Sequence, residues 1–134
     1  MKATDLIQSF SINKINCFTK NLAVSNSITV GVFLNTALHT EDQDQLGMSH
    51  FLEHMCFRGT TRRTSYQITH EIDALGGYIN AFTSKEYTCY YITILPECFD
   101  EGVDILFDVV FNSVLKDDAI QLEKSIISEE IKMY

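Results

Sequence analysis

Two strand-like segments around a short polar turn constrain the fold of this chain more than any other feature. Between Tyr78 and Leu95, aromatic and β-branched residues fill the runs YINAFTS and YTCYYITIL, with the polar turn SKE where they meet. This pattern predicts two adjacent antiparallel strands. A further run, ITVGVFL at residues 28–34, predicts a strand that is buried on both faces or lies at the centre of the sheet.

Helical spacing of apolar residues marks four segments outside these strands. They cover about residues 46–57, 64–75, 99–115 and 117–134. The second segment opens with Thr64 and Gln67 in a capping-box pattern, and the last opens with Asp117 or Asp118 as the expected N-cap. Together these elements predict an α+β domain with a mostly antiparallel sheet and helices packed on one side.

The composition is that of one globular domain with no linker. The 134 residues are 46% hydrophobic and carry a net charge of −8, which disfavours nucleic acid or an anionic membrane as a partner. No segment has the apolar length of a membrane span, and the start of the chain lacks the features of a signal peptide. We therefore expect a cytoplasmic protein whose four cysteines, with no C-x-x-C pair, are reduced.

The segment GMSHFLEHM carries the clearest chemical signal. His50 and His54 lie four residues apart in a helical pattern, so both imidazoles project from one face and can bind one zinc ion. Glu53 lies near His50 around the helix, where its carboxylate can act as a general base towards a water molecule at the zinc. Two surface histidines on an amphipathic helix are the alternative interpretation.

A catalytic zinc site needs a third protein ligand, and the last helical segment contains candidates. One stripe of that helix, apolar apart from two carboxylates and expected to point inward, consists of Glu123, Ile126, Ile127 and Glu130. Buried carboxylates need a metal ion or histidine N–H groups as partners. We therefore predict Glu130 as the third ligand, with an exposed helix charge as the alternative. Glu129, about 100° away around the helix, is expected to face solvent.

These motifs resemble the N-terminal part of the pitrilysin-type zinc peptidases (M16, insulinase family), close to bacterial relatives of the processing-peptidase β subunit. The matching segments, in the family's order, are GVFLNTA, GMSHFLEHMCFRGT, EIDALGGYINAFTSKEYTCYYITIL and LEKSIISEEIKMY. The resemblance implies Zn²⁺ as the cofactor, with His50, His54 and Glu130 as its ligands. It also implies Glu53 as the general base and Glu123 as a supporting acidic residue.

The resemblance further implies a substrate-binding role for Asn80 and Ala81. They match the family's edge strand, which holds the substrate backbone by β-augmentation. A turn residue near the pair Gly76-Gly77 is the alternative interpretation of Asn80. Peptides or unfolded proteins are the expected substrates.

The chain departs from the family at two places. The family usually shows a clear N-G-L-R-V strand near the start, where this chain has INCFTKNLAVSN. Family members also continue for hundreds of residues after the third ligand, into a second homologous domain. We therefore expect residues 1–134 to form an incomplete N-terminal metallopeptidase domain that lacks a C-terminal half or a partner subunit. Apolar faces left uncovered on the helix at 99–115 predict association, with a homo-oligomer as one outcome.

The expected function is that of a zinc-dependent metalloendopeptidase module that hydrolyses peptide bonds with metal-activated water. The alternative is a non-catalytic remnant that binds peptides or a subunit. Outside the motif, His39 and His70 have no partner at ligand spacing and are expected at the surface, while Arg62-Arg63 is expected to be a solvated basic patch. Cys56 is rejected as a ligand because it lies about 200° from His54 around the helix.

Overall fold

The structure, a computed structural model, describes residues 7–36, 39 and 41–133. Its elements, in chain order, are β1 (Ile7–Ile12), β2 (Ile15–Lys20), β3 (Ile28–Leu34), α1 (Met48–Cys56), α2 (Ser65–Ala74), β4 (Tyr78–Thr83), β5 (Thr88–Ile94), α3 (Phe99–Phe111) and α4 (Asp117–Lys132). A 3₁₀ turn at Pro96–Cys98 leads into α3. The predicted α+β class is confirmed, and no helix in the described ranges is long and apolar enough to cross a bilayer.

The main sheet has three antiparallel strands in the order β3-β5-β4. The predicted hairpin of β4 and β5 is present, with Tyr78 opposite Thr93 and Thr83 opposite Thr88. The prediction for residues 28–34 is wrong, because β3 lies at an edge of the described sheet and its residues alternate between half-buried and exposed. Strand β5 takes the central position instead, since it pairs on both sides.

The core lies between one face of this sheet and the helices. Tyr90, Ile92 and Ile94 of β5 point into it and pack against apolar residues of α2 and α3, namely Ile68, Ile72, Ile105, Leu106 and Val109. Helix α3 approaches β5 closely at Gly102, where an added Cβ would meet Ile94 Cδ1 and lie 3.3 Å from Ile92 Cδ1. The opposite face of the sheet carries Thr29, Phe33, Tyr78, Asn80 and Phe82, all of them exposed.

A local side-chain contact fixes the start of α2. The capping box of α2 is confirmed, because Thr64 accepts from the Gln67 N–H and the Gln67 side chain accepts from the Thr64 N–H. Helix α4 differs from the prediction: its N-cap is Lys116, and it ends at Lys132 rather than at the last residue. Asp118 lies inside the first turn, where its carboxylate accepts from the Ala119 N–H.

A separate two-stranded sheet is formed by β1 and β2. Its turn contains Asn13 and Lys14, both with positive φ, as in the type I′ turns that join antiparallel strands. The segment that departs from the family pattern therefore does form a strand, β2. Almost every residue of this hairpin is exposed, including Phe10 and Phe18.

An ionic network joins the loop after α1 to α3. Asp108, fully buried, accepts hydrogen bonds from Thr60 Oγ1 at 2.7 Å, from Arg62 Nε at 2.9 Å and from Arg63 Nη1 at 2.9 Å. Burial alone would raise the pKa of Asp108, but these hydrogen bonds outweigh it and hold the pKa well below its usual range. Both guanidinium groups also bind Asp104. The expectation of a solvated patch is therefore wrong for Arg63, which is only 15% exposed, whereas Arg62 is 49% exposed.

The four cysteines Cys17, Cys56, Cys89 and Cys98 are all free, as predicted. Cys56 Sγ lies 3.4 Å from Tyr90 Oη, to which it donates, in the part-buried region beneath α1. Cys89 is buried, and that burial raises the pKa of its thiol. Cys56 and Cys98 pack against the core cluster, so with the buried Cys89 they act as packing residues.

Candidate metal centre

Helix α1 presents two histidines side by side. His50 Nε2 and His54 Nε2 lie 3.0 Å apart, and the two rings meet edge to face at an interplanar angle of 87°. The start of this helix is fixed by Glu41, whose carboxylate accepts from the backbone N–H groups of Gly47 at 2.7 Å and Ser49 at 2.6 Å. The hydrogen bond from Ser49 is the main cause of the lowered pKa of Glu41. The carboxylate therefore satisfies two of the free N–H groups at the start of α1.

Glu130 of α4 faces the two histidines. Its Oε2 atom lies 4.0 Å from His50 Nε2 and 3.9 Å from His54 Nε2. One donor atom from each of the three residues falls within 4.8 Å of the other two, and all three side chains are partly buried. The structure thus brings together the three side chains that the sequence singled out as ligands.

The distances between these donor atoms fit a zinc ion. Tetrahedral zinc with bonds of about 2.0–2.1 Å places its ligand atoms about 3.3–3.4 Å apart. The nitrogen atoms of His50 and His54 are slightly closer than this, and the oxygen of Glu130 is slightly farther. Small side-chain rotations would equalise the three distances, and two imidazoles with one carboxylate are a donor set that zinc accepts.

Glu123 fixes the orientation of His54. Its Oε1 atom lies 2.8 Å from His54 Nδ1, and its Oε2 atom accepts a short hydrogen bond from Arg58 Nε. A carboxylate at Nδ1 favours the tautomer that carries its proton there, which leaves the Nε2 lone pair free for a metal. Burial opposes ionisation of Glu123, but the hydrogen bonds from Arg58 and His54 prevail and lower its pKa.

The inward stripe predicted for α4 is only partly present. Glu123 is the one buried residue that α4 contributes, whereas Ile127 and Glu130 are half-buried and Ile126 is 39% exposed. The helix packs mainly against α1. Glu129 is exposed, as predicted.

Glu53 is held beside the histidines by strand β4. Thr83 Oγ1 donates to Glu53 Oε2 at 2.5 Å, so β4 holds the carboxylate that α1 carries. Glu53 and His54 line one cavity of about 340 Å³, together with Phe57, Arg58, Ser65, Asn80 and Glu123. The residue predicted as the general base therefore shares this cavity with one of the candidate ligands, His54.

Asn80 and Ala81 lie on β4, the edge strand next to this cavity. The Ala81 N–H donates to Asn80 Oδ1 at 2.9 Å, so it does not take part in the ladder with β5. In an antiparallel strand, the N–H and C=O of one residue point in the same direction, so both groups of Ala81 face the open edge. Asn80 also donates to Tyr78 Oη at 2.6 Å. Asn80 and Ala81 both lie within the strand, not in a turn.

The sequence analysis missed the two residues that donate hydrogen bonds to the carboxylates of Glu123 and Glu53. Arg58 lies four residues after His54, a spacing that could have placed it on the same helical face. Thr83 gives no such signal, because its contact with Glu53 joins positions 30 residues apart. His39 and His70, predicted at the surface, are both exposed.

A family profile described as "Insulinase (Peptidase family M16)" matches residues 17–134. The chain belongs to the insulinase family. Among the relatives of this M16 chain is the "Uncharacterized zinc protease YmxG" of Bacillus subtilis, 40% identical over 122 residues. Another is the mitochondrial-processing peptidase subunit beta of Saccharomyces cerevisiae, 40% identical over 126 residues. Both matches cover 91% of this chain but only 30% and 27% of the relative, respectively.

A solved structure has the same fold. The M16 chain superimposes on a protease from Helicobacter pylori with a TM-score of 0.87 at 22% sequence identity. The match covers 95% of this chain and 31% of the Helicobacter protein. The α+β arrangement is thus the same as in one part of a larger protease.

Proposed function

We propose that this chain is a zinc-dependent metalloendopeptidase module. The convergence of His50, His54 and Glu130 on one point, with Glu53 beside them, is the observation that carries the proposal. Membership of a peptidase family supports it, and so do the names of the relatives as zinc proteases. Residues 17–134, which match the family profile, are proposed as part of its N-terminal domain.

The side chains of the site divide the chemistry among them. His50, His54 and Glu130 would hold the zinc ion, which when bound supplies Lewis-acid chemistry that polarises a peptide carbonyl. Glu53 accepts the proton of the attacking water and passes it to the leaving amine. Thr83 keeps the Glu53 carboxylate on the cavity side, and Glu123 keeps His54 in the tautomer that the metal requires.

The open edge of β4 is the proposed place for the substrate. The backbone groups of Ala81 face outward there, Asn80 lines the same cavity as Glu53, and an extended peptide can add to this edge by β-augmentation. Because such pairing uses backbone hydrogen bonds, it suits unfolded segments. Peptides and unfolded proteins are therefore the proposed substrates.

Metal content tests the proposal directly. After dialysis, the wild-type protein should retain about one zinc ion per chain, and His54→Ala should retain almost none. Glu53→Gln is the matched control: it should keep the zinc but lose chelator-sensitive cleavage of unstructured peptides. Equal and near-zero zinc in wild type and His54→Ala would refute the proposal.

A non-catalytic module that binds peptides or a partner subunit is the second candidate. It is supported by the match to a protein named as a subunit, the mitochondrial-processing peptidase subunit beta of Saccharomyces cerevisiae. This candidate predicts peptide binding without cleavage. Chelator-sensitive cleavage that disappears in Glu53→Gln would exclude it as a full description.

A further inference from the structure

Five aromatic side chains form a continuous row on the sheet face away from the helices. The centroids of neighbouring rings lie between 5.4 and 6.4 Å apart. In order, the row consists of Phe33, Tyr87, Phe82, Tyr91 and Tyr78. Phe33 is 66% exposed and Phe82 is 42% exposed. Rings at these distances prefer tilted contacts, as observed, which leaves their outer faces open to a further apolar group.

The open edge of β4 determines how a bound peptide would meet this row. A peptide added antiparallel to β4 forms a hydrogen-bonded pair with Ala81, and its carbonyl replaces Asn80 Oδ1 as the acceptor of the outward-facing Ala81 N–H. Its neighbours then lie opposite Asn80 and Phe82 in non-hydrogen-bonded pairs, where side chains come closest. Side chains alternate along a strand, so these neighbours point to the aromatic face, away from the candidate metal centre.

We infer that Phe82 selects substrates that carry a large apolar residue directly opposite it. This inference rests on the proposed edge-strand mode of substrate binding. The incoming side chain would pack against Phe82 and the rings behind it, Tyr87 and Tyr91, which lie 5.9 and 6.4 Å from Phe82. The residue two positions along the peptide faces Asn80, whose amide suits a polar side chain. The preferred substrate is therefore an extended segment with an aromatic or β-branched residue at one fixed position.

Phe33 provides a matched control for Phe82. It has the same side chain and belongs to the same row, where its ring lies 5.4 Å from Tyr87. However, it lies on β3 at the opposite edge of the sheet, out of reach of a strand added to β4. If the apolar surface acted only in general, replacing either phenylalanine would weaken the preference for an apolar peptide residue. If the pairing is specific, only replacement of Phe82 would weaken it.

The test measures peptide binding, which does not require catalysis. Glu53→Gln protein loaded with zinc is titrated into a labelled serine-alanine peptide with or without one central phenylalanine, and fluorescence anisotropy is recorded. The phenylalanine should tighten binding by up to about fivefold, the upper end of the range for a cross-strand aromatic pair. Adding Phe82→Ala should abolish this preference, Phe33→Ala should keep it, and Phe82→Lys should transfer it to a peptide with central glutamate.

Three results would overturn the inference: no binding of either peptide, no preference for phenylalanine, or a preference that survives Phe82→Ala. Thermal melts of each variant verify the fold, and Phe82→Leu, which keeps most of the apolar volume, should show an intermediate preference. Wild-type cleavage is followed separately by mass spectrometry. A phenylalanine preference without any cleavage would refute the catalytic proposal and support the inference.

Discussion

Replacing Asp108 with asparagine should lower the free energy of unfolding by about 3–5 kcal/mol, the usual cost of removing one partner from a buried ion pair. The carboxylate is 0% exposed and accepts from Thr60, Arg62, Arg63 and Asn112. An amide in its place carries no charge and turns two of its own N–H donors towards those partners. Arg63, only 15% exposed, would lose its most buried counter-charge.

This loss translates into a large change in melting temperature. For a domain of 134 residues, each 1 kcal/mol lost from the free energy of unfolding lowers the melting temperature by roughly 3–4 °C. Asp108→Asn should therefore melt about 10–18 °C below wild type in a calorimetric scan. Asp104→Asn is the control: Asp104 binds the same two arginines but is 47% exposed, so its loss should cost no more than about 1 kcal/mol.

The effect should also depend on pH. The pKa of Asp108 lies below its ordinary value of 3.8, so ionised Asp108 stabilises the folded state above that pH. This stabilisation is lost as the pH falls below about 4 towards the lowered pKa. The difference in stability between wild type and Asp108→Asn should therefore be full at neutral pH and shrink in acid. Equal melting temperatures for Asp108→Asn and Asp104→Asn, or a pH-independent difference, would refute this reasoning.

Two further substitutions address the site and the core. Glu123→Gln should weaken zinc binding about 10- to 100-fold in a competition titration, because it perturbs the tautomer of His54; unchanged affinity would contradict the role given to Glu123. Gly102→Ala should destabilise the domain by about 1–3 kcal/mol in urea unfolding, because the new Cβ meets Ile94. Glu101→Ala, at an exposed neighbouring position, should change stability by less than about 0.5 kcal/mol.

Local patterns were predictable from the sequence, and long-range pairing was not. The capping box of α2 and the hairpin of β4 and β5 are specified by residues a few positions apart, and both are present. The position of β3 depends on which strand pairs with β5 on each side, and no local run encodes this. The same reason explains the error at Arg63, since Asp104 and Asp108, the carboxylates that it shares with Arg62, lie more than 40 residues away in sequence.

In the candidate site, too, local spacing was predictable from the sequence and the extent of burial was not. The spacing of His50 and His54 predicted their common face, and the structure brings Glu130 to them. The catalytic and ligand roles of these residues stay predictions, as do the substrate contacts of Asn80 and Ala81, the cytoplasmic location and the homo-oligomer. Burial along α4 was overestimated, because periodicity indicates a face but not how much of it a neighbour covers.

The contact between α1 and α4 has a kinetic consequence. It joins His54 to Glu123 across 69 residues, and the strands and helices that build the core lie between them in the sequence. Closing so long a loop costs more conformational entropy than a few polar contacts offset. This contact is therefore expected to form after the core has condensed. The three candidate ligands then converge only in the fully folded chain, and a partly folded chain exposes no assembled centre to the unfolded segments around it.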